Sequence, residues 1–114
     1  MADIDALQEF GADVNEGLAR CMNNKDFYMK LVRMAVSDKN FNALADAVAR
    51  KDKTAAFEAA HALKGVLGNL SLKPLYSTVS EMTELLRGGA DADYDAMLRA
   101  ILDKKEKLEA LLNE

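Results

Sequence analysis

With 114 residues, the chain has room for one ordinary domain built on one hydrophobic core. A net charge of -4 offers no basic surface for nucleic-acid phosphates or anionic lipid, and one Cys with one His permits neither an intrachain disulfide nor the usual zinc site. No apolar run nears the roughly 20 residues that span a bilayer, and the acidic start Met1-Ala2-Asp3-Ile4-Asp5 lacks a signal-peptide pattern, so a cytoplasmic protein without membrane insertion is expected.

Ala, Leu, Met, Lys and Glu dominate and Pro74 is the single proline, a composition that favours helix over sheet. In chain order, Asp3 is placed to cap a short helix over Ile4 to Phe10 that Gly11 would end. Asp13 with Glu16 resembles a capping box for a helix over Val14 to Met22, and Asn23-Asn24 breaks the pattern. Phe27, Leu31, Met34 and Ala35 recur at helical spacing from Lys25 to Val36. Ser37-Asp38 can cap a following helix that buries Phe41, Leu44, Ala45 and Val48, which leaves one bent helix or two as alternatives. Asp52 or Thr54 caps the helix that runs to about Leu70. Pro74 suits the first turn of the next, whose stripe is Leu75, Val79, Met82 and Leu86 and which Gly88-Gly89 ends. The last helix runs roughly from Asp93 to Leu112 on Met97, Ile101, Leu108 and Leu112, widened by Leu98, Leu102 and Leu111.

Short turns make neighbouring helices antiparallel. The expected fold is therefore all-α: an up-and-down four-helix bundle with an additional short N-terminal helix or helices, one domain over residues 1–114.

On a wheel of about 100° per residue, with Leu63 as the core direction, Ala56, Ala59, Ala60, Val66, Leu67 and Leu70 fall within about 60° of it. His61 falls about 160° away and faces solvent. Gly65 and Gly68 share its exposed stripe. A glycine inside a helix costs about 1 kcal/mol relative to alanine, so two of them beside the imidazole suggest cleared space for another macromolecule. Lys64 stands one turn on from His61, within reach of an anion held by the imidazole, and Glu58 stands one turn before it, placed to accept from a ring N–H. The hairpin back along the next helix brings Thr83 level with the ring as a hydrogen-bonding candidate and Arg87 as a source of positive potential. An exposed nucleophile, a nearby cation and bare backbone fit a site that handles a phosphoryl group presented by a protein.

His61-Ala62-Leu63-Lys64-Gly65, continuing through Gly68-Asn69-Leu70, resembles the His-x-Leu-Lys-Gly signature of histidine phosphotransfer (HPt) domains. Ala59-Ala60 before it and Leu72-Lys73-Pro74-Leu75-Tyr76 after it also fit, and the helix order agrees from roughly Phe27 to Leu86. The resemblance implies that His61 accepts phosphate from a receiver-domain aspartate and passes it to another receiver, with Lys64 stabilising the phosphate and Gly65 clearing space for the receiver. It implies response-regulator receivers and a hybrid histidine kinase as partners, a monomeric carrier without kinase activity, and no cofactor beyond the Mg²⁺ that the receiver brings. Val66 and Leu67, where the family often has small residues, and Ser71, where it often has glycine, depart from the pattern.

Two other readings compete. A lone exposed histidine is usually incidental, but here it comes with Lys64, the glycines and the signature. A helical adaptor or inhibitor that binds a receiver or kinase without carrying phosphate is the alternative, and it would work without the histidine. A hydrolytic or metal-dependent enzyme fits poorly, because no Ser/His/Asp set, carboxylate pair for two metals or phosphate-cradling loop is present.

Overall fold

The structure, a computed structural model, describes residues 3–113. Among them run seven helices: α1 (Asp3–Phe10), α2 (Val14–Arg20), α3 (Lys25–Val36), α4 (Lys39–Ala49), α5 (Lys53–Asn69), α6 (Lys73–Arg87) and α7 (Tyr94–Leu112). The expected role of the Asp3 side chain, like the reading of Met1 and Ala2, lies outside the described residues.

Acidic and amide side chains start most of these helices by satisfying backbone N–H groups that have no partner within the helix. Asn24 accepts from the N–H of Phe27 at 3.0 Å, Asp38 from Asn40 at 2.7 Å, Asp52 from Ala55 at 3.0 Å and Asp93 from Ala96 at 2.9 Å. The break at Ser37-Asp38 makes α3 and α4 two helices rather than one bent one. Asp52, not Thr54, caps α5. Asp13 performs half of the expected capping box: it accepts from the Glu16 N–H at 3.1 Å, but its own N–H donates to the Ser71 carbonyl instead of to Glu16.

Helices α4 to α7 close a ring in which α4 packs on α5 and α7, and α6 on α5 and α7. Turns at residues 50–52, 70–72 and 88–93 join them, too short for anything but antiparallel neighbours. Phe41 and Leu44 from α4, Leu63 and Leu67 from α5, Leu75 and Met82 from α6, and Ile101 and Leu108 from α7 fill the interior. Helices α1 and α3 rest against α7.

The face that α3 buries agrees with the expected one at Ala35 but is otherwise rotated from it. Tyr28, Met29, Val32, Ala35 and Val36 point inward, whereas Phe27 and Met34 are 47% and 59% exposed. Tyr28 decides the rotation. Its ring is fully buried against Gly17, where an added Cβ would stand 2.5 Å from the hydroxyl, and that hydroxyl donates to the Leu70 carbonyl at 2.8 Å. Burial, with smaller contributions from Cys21 and Asp13, pushes the Tyr28 phenol up to about 12, so it remains a donor throughout the physiological range. A socket with a hydrogen-bond acceptor at its base suits tyrosine better than Phe27 or Met34.

Candidate functional site

The inner face of α5 is alanine in its first half and leucine in its second, and it packs against α4 and α6. Ala56, Ala59, Ala60, Leu63 and Leu67 are buried, while His61 stands exposed on the opposite side. It is the only histidine of the chain. No described residue hydrogen-bonds either ring nitrogen. What fixes the imidazole is a ring contact: Phe57, one turn earlier, stacks on it with centroids 5.5 Å apart and planes 13° from parallel. The guanidinium of Arg87 covers Phe57, with its carbon 5.0 Å from the ring centroid.

Charge gathers on the same flank. Lys64 Nζ donates to Glu84 Oε2 at 3.2 Å, and Arg87 Nε donates to Glu84 Oε1 at 3.2 Å. The hydrogen bond from Lys64, followed by that from Arg87, holds the Glu84 carboxyl below the ordinary carboxylate value. Lys64 keeps partial exposure, and the space beside Gly65 is open: an added Cβ would meet nothing within 4 Å. Among the described residues no group of three or more His, Cys, Asp or Glu side chains is placed to hold a metal ion.

Of the residues singled out from sequence, His61, Lys64, Gly65 and Arg87 share this surface, but three others are corrected. Thr83 is fully buried, and its hydroxyl donates to the Val79 carbonyl at 2.7 Å, so it cannot serve the imidazole or a partner's surface. A hydroxyl four residues after a helix carbonyl finds that acceptor before any other. Glu58 is exposed, and no bond joins it to His61. Gly68 is not cleared for a visitor: an added Cβ there would stand 3.1 Å from Cε2 of Tyr76, so the absent side chain seats the α6 aromatic. Its carbonyl also accepts from Arg20 at 2.8 Å.

Two residues had no role in the sequence reading, although Phe57 falls about 120° from the core direction on the α5 wheel and partial exposure is expected of it. Phe57 precedes His61 by four residues, the spacing at which helical side chains meet, and that was a usable signal. Glu84 precedes Arg87 by three, equally readable, but its bond to Lys64 crosses between helices and had no mark in the sequence.

A helical ring that displays a single histidine on the outward face of one helix, with a lysine one turn beyond it, defines a narrow class of protein. The Hpt domain family model matches residues 34–114, and the chain belongs to that family, whose role is histidine phosphotransfer in phosphorelays. The match spans α4 to α7 and begins at the end of α3. No curated protein and no solved structure is matched. Among the described residues no helix is long and apolar enough to cross a membrane.

Proposed function

We propose that His61 accepts a phosphoryl group from the aspartyl phosphate of one response-regulator receiver domain and passes it to the aspartate of another. The observation that carries this reading is that the chain's sole histidine lies within the Hpt match, exposed, beside open space at Gly65. A lone pair on one nitrogen of the neutral imidazole, Nε2 in our assignment, attacks phosphorus. The N–P bond forms as the bond from phosphorus to the aspartyl oxygen breaks, and the electron pair leaves with the aspartate as carboxylate. The proton stays on the other ring nitrogen. Onward transfer reverses these bond changes with a different carboxylate.

The chain contributes position and charge, the two factors on which phosphoryl transfer chiefly depends. Stacking on Phe57 restricts the imidazole plane, Lys64 attracts the phosphoryl oxygens, and Gly65 admits the receiver's backbone. Mg²⁺ enters with the receiver. A hybrid histidine kinase is the expected source of phosphate, and the carrier acts as a monomer in the cytoplasm.

Incubation with a phosphorylated receiver should place acid-labile, base-stable label on the protein, and His61→Ala should take none. Label retained by His61→Ala would overturn the assignment. A receiver that still binds His61→Ala and is inhibited by it, with no label ever passing to the wild type, would instead favour the adaptor reading. Labelled ATP and Mg²⁺ alone should leave the pure protein unlabelled.

A further inference from the structure

His61, Phe57, Arg87, Glu84 and Lys64 form a circuit across the exposed faces of α5 and α6. The imidazole stacks on Phe57, Arg87 covers Phe57, Glu84 joins Arg87 to Lys64, and Lys64 returns to His61 along one helical turn. One member has no place in the transfer chemistry. Glu84 is an anion set between the two cations that a phosphoryl group would attract, and its depressed carboxyl keeps it charged at neutral pH. Phosphohistidine brings further negative charge to the same surface, and like charges sharing a pair of cations divide their attraction.

We infer that Glu84 is a built-in competitor for the phosphoryl group: it occupies Lys64 and Arg87 while His61 is bare, and it weakens their hold on the phosphate once transfer has occurred. This rests on the carrier reading above. The consequence is thermodynamic. A phosphohistidine held loosely by its cations lies higher in free energy, so Glu84 poises the carrier for release to the next aspartate rather than for storage. Glu84 touches the reacting atoms only through Lys64 and Arg87, and is thus a positioning residue. Structural importance would be a different matter, since its carboxylate is half-exposed and exposed ion pairs add little to folding stability.

The test is the equilibrium between phosphoaspartate and phosphohistidine when the protein is mixed with a phosphorylated receiver, read together with the rate of onward transfer. Glu84→Gln keeps the size and removes the charge. It should shift the ratio toward phosphohistidine about five- to tenfold, the worth of one removed like charge at several ångströms in a partly solvated site. Onward transfer should slow, the melting temperature should stay near that of wild type, and the shift should shrink as salt is raised. Glu106→Gln on α7 removes the same charge away from the site and should leave the ratio alone. An unchanged ratio in Glu84→Gln, a shift toward phosphoaspartate, or an equal shift in Glu106→Gln would each overturn the proposal. Failure of the wild type to take label would sink the carrier reading and this inference with it, whereas a labelled wild type with an indifferent Glu84→Gln would sink this inference alone.

Discussion

Gly65 and Gly68 stand one turn apart on the same stripe of α5, yet they belong to regions of opposite character. Around Gly65 the surface is open, charged and lightly held: a stacked imidazole, two cations sharing one carboxylate, and space beside the backbone. Around Gly68 the chain's own side chains gather. Tyr76 fills the space over Gly68, Arg20 binds its carbonyl, Tyr28 anchors the Leu70 carbonyl from α3, and Ser71 joins the α2 start to the α5–α6 turn. The same residue type thus answers two needs. In the open region the missing side chain leaves free space, which the proposed function gives to a receiver; in the other it leaves room for the protein's own aromatic ring. A helical wheel assigns both glycines to solvent because it registers direction from the core but not the neighbour that leans across.

The largest effect that separates the regions is expected at Gly65. Gly65→Gln fills the open space, which the proposed docking of a receiver would need; a displacement of even ~1 Å between reacting atoms costs about 10²-fold in rate. The fold should hold or gain up to about 1 kcal/mol, since glutamine is the better helix former. Phosphotransfer kinetics and a thermal melt on the same variant check both halves. Unchanged transfer in a well-folded variant would remove Gly65 from the docking surface.

The counterpart at Gly68 should show the reverse pattern at smaller size. In Gly68→Ala the new methyl crowds the Tyr76 ring edge at 3.1 Å while the helix gains about 1 kcal/mol of propensity, so the net change in stability should lie within about 1 kcal/mol. A bulkier Gly68→Leu should lose about 1–3 kcal/mol by overpacking, yet transfer should remain within about twofold of wild type. Slowed transfer in a stable Gly68 variant would erase the distinction between the regions.

What could be read in advance follows the same divide. The α4 to α7 ring was legible because its stripes are single: Leu75, Val79, Met82 and Leu86 leave α6 one apolar face, and Asp52 and Asp93 mark helix starts. The orientation of α3 was not. Phe27, Leu31 and Met34 run beside Tyr28 and Val32, two apolar stripes one residue apart that share Ala35, and the socket at Gly17 and Leu70 selects between them. At the site, the exposure of His61 and the neighbourhood of Lys64 came from helical angles alone. The interior placement of Thr83 and the ion pair from Lys64 to Glu84 required knowing how α6 is rotated against α5, which periodicity within either helix does not specify.

The smallest predicted effect concerns Ser71, one of the departures from the pattern that the sequence resembles. Its backbone is left-handed, with φ of 57°, a conformation that costs a non-glycine residue about 1 kcal/mol or more. Glycine would relieve that cost. Serine brings its own compensation: its hydroxyl, almost fully buried, donates to Glu16 Oε1 at 2.8 Å, and this bond, followed by that from Lys73, holds the Glu16 carboxyl below its ordinary 4.5. Ser71→Gly therefore exchanges the hydrogen bond for backbone relief and should melt within roughly 2 °C of wild type, while Ser71→Ala keeps the strain, loses the bond and should melt roughly 3 °C lower. Both variants should alter the acid limb in the same direction. A carboxyl with a depressed folded pKa stabilises the fold fully above its unfolded value near 4.5 and ceases to do so as pH falls through the folded value. The gap between wild type and Ser71→Ala should thus be widest near neutral pH and narrow below pH 4.5, as Glu16 takes up its proton. Urea melts at about pH 7 and about pH 3 measure it; a gap that stays constant across that range would show that the hydroxyl contributes by packing and not through the Glu16 charge.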